Sequence, residues 1–391
     1  MISIIYNEVV ILFVGAGFHW RLLCFCTAVR SIEAVPTGAE NLMSVNRKIK
    51  RLCILRLSAL GDATHVVPVI RAIQDQSPET KITWIIGKLE HKLLGGLENI
   101  EFIEFDKHGG WSSVKLLREA LRDRRFDALF HMQVAARANL LSRMIRAPIR
   151  LGWDRARSRD FHHHFTRHHI AEVPFQHQVQ GFLEFPRAVG IDVETPRWDL
   201  PVSDKAHNWV GSKVPGEEPI LLISPCSSHE LRNWRSDYYA EVADYAIREL
   251  GMQVVLSGGP SEMEMRVAGE IEAAMQNGCI NLVGKDTLEQ SKAMLKRADL
   301  VISPDSGPAH VASALGTPVI GLYAATWSRR SGPYNSLYLC VDRFREAARR
   351  YRKCEPEDLR WGTRIEEPGV MDLVQPEDVI RQMETWKELR A

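Results

Sequence analysis

The chain has 391 residues, and 50 Lys and Arg against 49 Asp and Glu leave a formal charge of +1. That length predicts two domains, and the balanced charge excludes a whole-molecule attraction to nucleic acid or to an anionic membrane, so any such contact has to come from a local patch. Seven scattered cysteines without C-x-x-C spacing exclude a disulfide scaffold and fit free thiols in a reducing, cytoplasmic compartment.

Residues 1–49 read as an N-terminal extension. Their apolar stretch, 9–20, has no basic segment ahead of it and is interrupted by Arg21 before a bilayer could be spanned, so no transmembrane segment is expected. Gly15-Ala16-Gly17 lacks the third glycine of a dinucleotide fingerprint. The extension is either an upstream lengthening of the reading frame or a weak interfacial anchor.

From Arg51 onward, short apolar runs alternate with amphipathic ones. Strands are predicted at 52–57, 82–86, 100–105, 126–131 and 149–151, with helices over 112–124 and 135–146. A polar linker containing Pro196, Pro201, Pro215, Gly216 and Pro219 follows. A second series has strands at 220–223, 253–257, 280–282, 300–303 and 319–322, and helices over 237–250, 261–275, 287–297 and 308–315. Pro376 opens a last helix. The alternation is that of βαβ units. It predicts an α/β chain of two doubly wound, Rossmann-like domains facing a central cleft, over 50–205 and 206–375, with a C-terminal helix at 376–391.

In such folds ligands bind at the carboxyl ends of the strands. After the first strand comes "LSALGDATHVVP" (57–68), in which Asp62 follows a glycine and His65 stands about one helical turn on. A carboxylate there is either a helix cap or a base positioned to take a proton from an alcohol. After strand 220–223, the Ser-rich turn 224–235 offers Ser227 and Ser228 to phosphate oxygens and Arg232 as a charged clamp. After strand 300–303, Gly307 and the start of a helix form an anion site, with Asp305 directed at sugar hydroxyls. Capping turns are the plain alternative at both places. Glu262, after Gly258-Gly259, can reach a ribose hydroxyl. The basic, histidine-rich segment 155–169, with Arg155, Arg157 and Arg159, is either a loop for an anionic acceptor or a solvated one. No D-x-D pair is present to hold a metal on a nucleotide diphosphate.

Taken together, "LSALGDATHVVP", the phosphate turn with its basic-x-Trp element at 224–234, "GGPSE" at 258–262 and "DSGPAHVASALGTPVIGLY" at 305–323 resemble the bacterial lipopolysaccharide core heptosyltransferases, glycosyltransferase family nine. The resemblance implies a GT-B fold and inverting transfer of a heptosyl residue from ADP-heptose to the inner core (Kdo or heptose) of a lipid A-linked acceptor. It implies no cofactor and no obligatory metal, no nucleic acid partner, and a peripheral place on the cytoplasmic face of the inner membrane. Carried over residue by residue, it makes Asp62 catalytic. It assigns Ser227, Ser228, Arg232, Glu262, Asp305, Ser306, Gly307, Pro308 and Ala309 to the donor, beside the expected acceptor contacts His65, Arg155, Arg157 and Arg159. Many members carry Lys-x-Trp-Pro where this chain has Arg232-Asn233-Trp234-Arg235. The alternative is a transferase of the same fold with another nucleotide sugar or a non-lipopolysaccharide acceptor.

Overall fold

The structure is a computed structural model that describes residues 49–390, together with the backbone of three short strands nearer the N-terminus. Those strands, β1 (Ile2–Tyr6), β2 (Val9–Phe13) and β3 (Cys24–Cys26), pair antiparallel. The rest of the extension, up to residue 48, lies outside the described residues, so neither reading of it is decided.

The first large sheet begins with β4 (Arg51–Leu55). The short α1 (Leu60–Thr64) and α2 (Val67–Gln76) lead to β5 (Lys81–Gly87), and α3 (Lys88–Leu94) leads to β6 (Ile100–Phe105). Then α4 (Gly110–Leu121), β7 (Ala128–His131), α5 (Ala136–Ser142), β8 (Ile149–Gly152) and the two-residue β9 (His168–His169) complete it. All its strands are parallel, in the order β6-β5-β4-β7-β8-β9. Helices α6 (Gln178–Arg187) and α7 (Asp204–Lys213) follow.

The second sheet repeats the plan. Its strands β10 (Ile220–Ile223), β11 (Gln253–Leu256), β12 (Ile280–Asn281), β13 (Leu300–Pro304), β14 (Val319–Tyr323) and β15 (Val341–Asp342) are parallel, in the order β12-β11-β10-β13-β14-β15. The helices α8 (Ser236–Leu250), α9 (Glu262–Ala274), α10 (Leu288–Arg297) and α11 (Gly307–Ala314) connect the strands. Short helices α12 (Ser328–Ser331) and α13 (Phe344–Ala347) precede α14 (Pro376–Glu388), which packs Val379 and Met383 into the core of this second half. Each sheet reverses strand order between its first and fourth strands, so each has a crevice where the loops after β4 and β7, or after β10 and β13, diverge.

The strands read as unbroken apolar runs because both their faces are covered. Leu52 to Leu55 and Ile220 to Ile223 are all buried. Among the helices, α3, α6 and α7 escape the sequence pattern; α7 lies in the stretch expected to be a polar linker, where Ser203 caps it and Ala206 and Val210 are buried. Seven residues with three charges and a histidine give α3 little apolar signal; Lys107 pairing with Glu90 and Lys292 donating to the Leu93 carbonyl at 3.1 Å hold it. Helix α6 carries Gly181 and Pro186, both helix breakers in isolation. Burial of Val179, Phe182, Leu183 and Phe185 outweighs them, and a Cβ at Gly181 would lie 2.7 Å from Nη1 of Arg157.

The two sheets meet through α1 and α11. A Cβ on Gly61 would stand 2.6 Å from Cδ2 of His310 and 3.4 Å from Cα of Gly307. Gly61 therefore serves close approach to the opposite helix. The five cysteines with described side chains are free, and no helix among the described residues is long and apolar enough to cross a membrane.

Gly61→Ala is expected to wedge α1 from α11 and destabilise the fold by about 1–3 kcal/mol, read as a lower urea midpoint at unchanged m-value. A second expectation concerns acid. Burial pushes His65, His131, His162 and His177 below their ordinary range, the last two to about 4. Between about pH 6.5 and 4 the unfolded chain then binds protons that the folded one refuses, so stability falls as pH falls. Unfolding midpoints taken at neutral pH and near pH 5 should differ in that direction; equal midpoints would contradict the neutral burial of these rings.

Candidate active site

Asp62 sits in α1 just past the end of β4, at the crevice of the first sheet. It does not cap the helix: the N-cap is Ala59, without a side-chain bond. Instead its Oδ2 accepts from Nη2 of Arg56 at 2.5 Å and its Oδ1 from Nε2 of Gln178 at 2.5 Å. Arg56 is itself fixed, donating through Nη1 to the Met132 carbonyl at 2.7 Å and stacking 5.3 Å over Phe182. Gln133, after β7, braces the same turn by accepting from the Leu57 and Ser58 amides. Burial works to raise the Asp62 carboxyl, but Arg56 first, then His65, His310 and Arg330, outweigh it and hold the pKa below the ordinary value.

The carboxylate faces a cleft of about 910 Å³. Arg56, Arg155, Arg157, Arg159, Arg330, Arg360 and Arg364 line it against the acids Asp62, Asp154 and Glu172. Trp153, Phe175, Phe182 and Trp361 give it aromatic walls. Phe175 occupies the left-handed region (φ 53°), held with its ring 5.3 Å from that of Trp361 across the cleft. A polyanion with an apolar or sugar-ring face suits such walls.

The expected acceptor residues separate. Arg155 and Arg159 are exposed on the cleft wall. Arg157 lines it too, but pairs with Asp154, donates to Gln176 and to the Ala171 carbonyl, and stacks 5.2 Å over Trp153. It shapes the loop. His65 corrects the expectation of an acceptor contact: it is 3% exposed, its ring packed 4.9 Å from His310 and 5.8 Å from Phe182, away from the cleft surface.

The expected donor residues form neighbouring clusters that the cleft wall does not include. Ser227 is buried; its amide donates to Asn233 and its Oγ accepts from the His229 amide, so it organises the turn. Exposed Ser228 accepts from Nη2 of Arg232 at 3.0 Å, and Arg232 faces Glu366 at 3.3 Å. Asp305 stands 3.7 Å from Nε2 of His310 and 3.4 Å from Oγ of Ser331. Burial would raise its carboxyl, but hydrogen bonding and charge from His310, with Thr326 and Arg330, hold it low.

At α11 the cap is already closed. Ser306 Oγ accepts the Ala309 amide at 3.4 Å and meets Ser303 at 2.7 Å, Pro308 has no N–H, and the His310 amide turns back to the Ser306 carbonyl. The first turn thus already engages its donors after Gly307, and buried Ala309 offers no side chain to a ligand. Glu262 is exposed on the first turn of α9, whereas its neighbour Glu264 braces the glycine loop by accepting from the Gly259 amide at 2.8 Å.

Arg330 and Arg364 join these clusters to the cleft. The charge of Arg330 is felt by both Asp62 and Asp305, and that of Arg364 by Arg232. With Arg56, Gln178, His310 and Glu366 they were missed in the sequence. Arg56, six residues before Asp62, is the one with a local signal; the others arrive from distant parts of the chain, Gln178 on α6, His310 on α11, Arg330 on α12, and Glu366 and Arg364 between α13 and α14. Among the described residues, no group of three or more His, Cys, Asp or Glu is placed to hold a metal ion.

Removal of the Arg56 guanidinium in Arg56→Gln leaves burial as the dominant influence on Asp62, so the carboxyl pKa should rise. A carboxyl NMR titration assigned with Asp62→Asn reads the shift, and an unmoved titration would mean that Arg56 does not set it.

Comparisons with known proteins agree with this architecture. The family model "Glycosyltransferase family 9 (heptosyltransferase)" matches residues 114–359. The chain is 38% identical over 334 residues to the lipopolysaccharide core heptosyltransferase OpsX of Haemophilus influenzae, covering 85% of this chain and 96% of that one. Among solved structures, the glycosyl transferase family 9 protein of Veillonella parvula superposes with a TM-score of 0.72 at 22% identity, over 86% of this chain and 97% of its own. The ADP-heptose lps heptosyltransferase II of E. coli gives 0.67 at 20% identity, over 87% and 100%. At those identities the two structures show the shared fold.

Proposed function

The chain belongs to glycosyltransferase family 9, and from that premise we propose how it works as a heptosyltransferase of the lipopolysaccharide core. The donor is ADP-L-glycero-D-manno-heptose and the acceptor is the inner core of a lipid A-linked saccharide, in agreement with the names of its relatives. The observation that carries the mechanism is Asp62, ionised at the crevice of the first sheet and facing a cleft whose walls come from both halves of the chain.

The acceptor hydroxyl attacks the anomeric carbon on the face opposite the diphosphate. As the new C–O bond forms, the hydroxyl proton passes to Asp62, the bond to the phosphate oxygen breaks, and ADP leaves with the electron pair, inverting the configuration. A carboxylate held below its ordinary pKa is a weak base; it suffices because the attacking oxygen becomes acidic only as it bonds to carbon. Arg56 and Gln178 keep the carboxylate ionised and aimed, and Arg330, Arg364 and Arg232 supply the positive field into which the diphosphate departs. In this reading the guanidinium groups carry the charge stabilisation, and no metal is obligatory. Arg155 and Arg159 meet the anionic acceptor, and the enzyme works peripherally at the cytoplasmic face of the inner membrane.

The test mixes purified protein with ADP-heptose and a truncated Kdo-lipid A acceptor, following ADP release beside product mass. A heptose-sized mass gain is expected, with turnover in Asp62→Asn down by about 10²–10⁴-fold and ADP affinity nearly unchanged. Undiminished turnover in the variant removes Asp62 from the base role, and release from a UDP-sugar in place of ADP-heptose overturns the donor.

A further inference from the structure

Positive charge outside the cleft is compensated in some places and left open in others. On the second half, Arg235 pairs with Asp237, Arg266 with Glu230 and Glu270, and Arg352 with Glu367, while the exposed Arg248 and Arg350 are in no ion pair among the described residues and stand apart from one another on α8 and after α13. On α4 and α5 of the first half and their C-terminal ends, Lys115, Arg118, Arg122, Arg137, Arg143 and Arg146 are all exposed and, among the described residues, in no ion pair; they outnumber the exposed acids of the same face, Glu119 and Asp123.

These two helices present one surface. Leu117 and Leu121 of α4 and Ala138 and Leu141 of α5 bury into a single cluster with Cys53, Leu55 and Leu129 of the sheet, so both outer faces point away from it. The pair is tied at both ends, Arg137 donating to the Lys107 carbonyl at 2.8 Å and Arg146 to the Arg122 carbonyl at 2.9 Å. Large apolar side chains stand among the charges: Trp111 is 87% exposed, Leu116 65% and Leu140 62%. An exposed Trp and leucines set among unpaired basic residues match the chemistry of an anionic bilayer interface.

We propose that the outer face of α4 and α5 docks the protein on an anionic lipid bilayer, lying on it rather than spanning it. The occupant follows from charge complementarity and from where the face leads. The start of α5 is pinned to the cleft loop: the Ala136 amide donates to Asp160 at 3.0 Å, and Nδ2 of Asn139 donates to the Asp160 carbonyl at 2.8 Å. On either side of Asp160 stand Arg159, on the cleft wall, and Phe161, 60% exposed. The basic face thus runs into the rim of the cleft. Its link to catalysis rests on the reading of that cleft as the seat of a lipid-linked acceptor, which a docked enzyme meets at the membrane surface.

The experiment is co-sedimentation of the full chain with vesicles of phosphatidylethanolamine and phosphatidylglycerol, against vesicles of phosphatidylcholine alone. Each basic residue near an anionic surface raises partitioning roughly five-fold, so Lys115→Glu, Arg118→Glu and Arg122→Glu combined should lower binding to the anionic vesicles more than about ten-fold. Added salt should do the same to the unaltered chain, and Trp111→Ala should weaken binding without altering the preference for anionic lipid. Turnover on a soluble, lipid-free acceptor should be unchanged in each variant. Equal binding to both vesicle types, no binding to either, tighter binding to duplex DNA than to anionic vesicles, or full binding by the charge-reversed chain overturns the proposal. Failure of the unaltered chain to turn over the soluble acceptor counts against the proposed function and leaves the vesicle result standing by itself.

Discussion

The contact on which the site depends is between two backbones. Gly61 in α1, just past the first sheet's leading strand, and Gly307 at the start of α11 approach with no side chain between them, and His310 fills the space beside them. A side chain at Gly61 has nowhere to go, since its first carbon would already overlap the His310 ring. That closeness brings the charges of Arg330 and His310, from the second half, to bear on Asp62 in the first. It also explains the buried, neutral His65: an imidazole wedged between Phe182 and His310 contributes shape where a charged one would repel.

Around that contact the chain arranges opposite charges so that each controls the other. Asp62 and Asp305 are carboxylates that burial alone would neutralise; Arg56 foremost keeps the first ionised, and His310, with Thr326 and Arg330, keeps the second so. The reverse holds on the cleft wall, where Arg157 is locked by Asp154 while Arg155 and Arg159 keep their charge exposed. The result is a polar, arginine-rich cleft with aromatic walls, suited to holding anionic sugars and to letting a diphosphate depart.

Much of the architecture was legible because parallel strands covered on both faces have to be apolar runs. The runs at Leu52 and Ile220 and the proline that opens α14 could all be read in order, whereas Gly61, expected to turn the chain, lies inside α1 and serves its close approach to α11. Helices α3 and α6 could not, since a short charged segment and one interrupted by Gly181 and Pro186 owe their form to neighbours such as Lys292 and Trp153. Ser306 shows a subtler limit. The same "DSGPAH" that reads as an anion-binding helix start is, in the folded chain, a cap that satisfies most of its own donors.

What the sequence determined by itself was the repeated βαβ plan and the presence of a carboxylate shortly after its first strand, because periodicity and the order of residues are local properties. Only the tertiary structure decided which residues address that carboxylate. Arg56, Gln178 and Arg330 lie 6, 116 and 268 residues away along the chain, counting from the numbering. The two longer separations are closed by packing, in which α6 is brought against the first crevice and α12 across from it, and no spacing rule along a sequence encodes the meeting of elements that far apart.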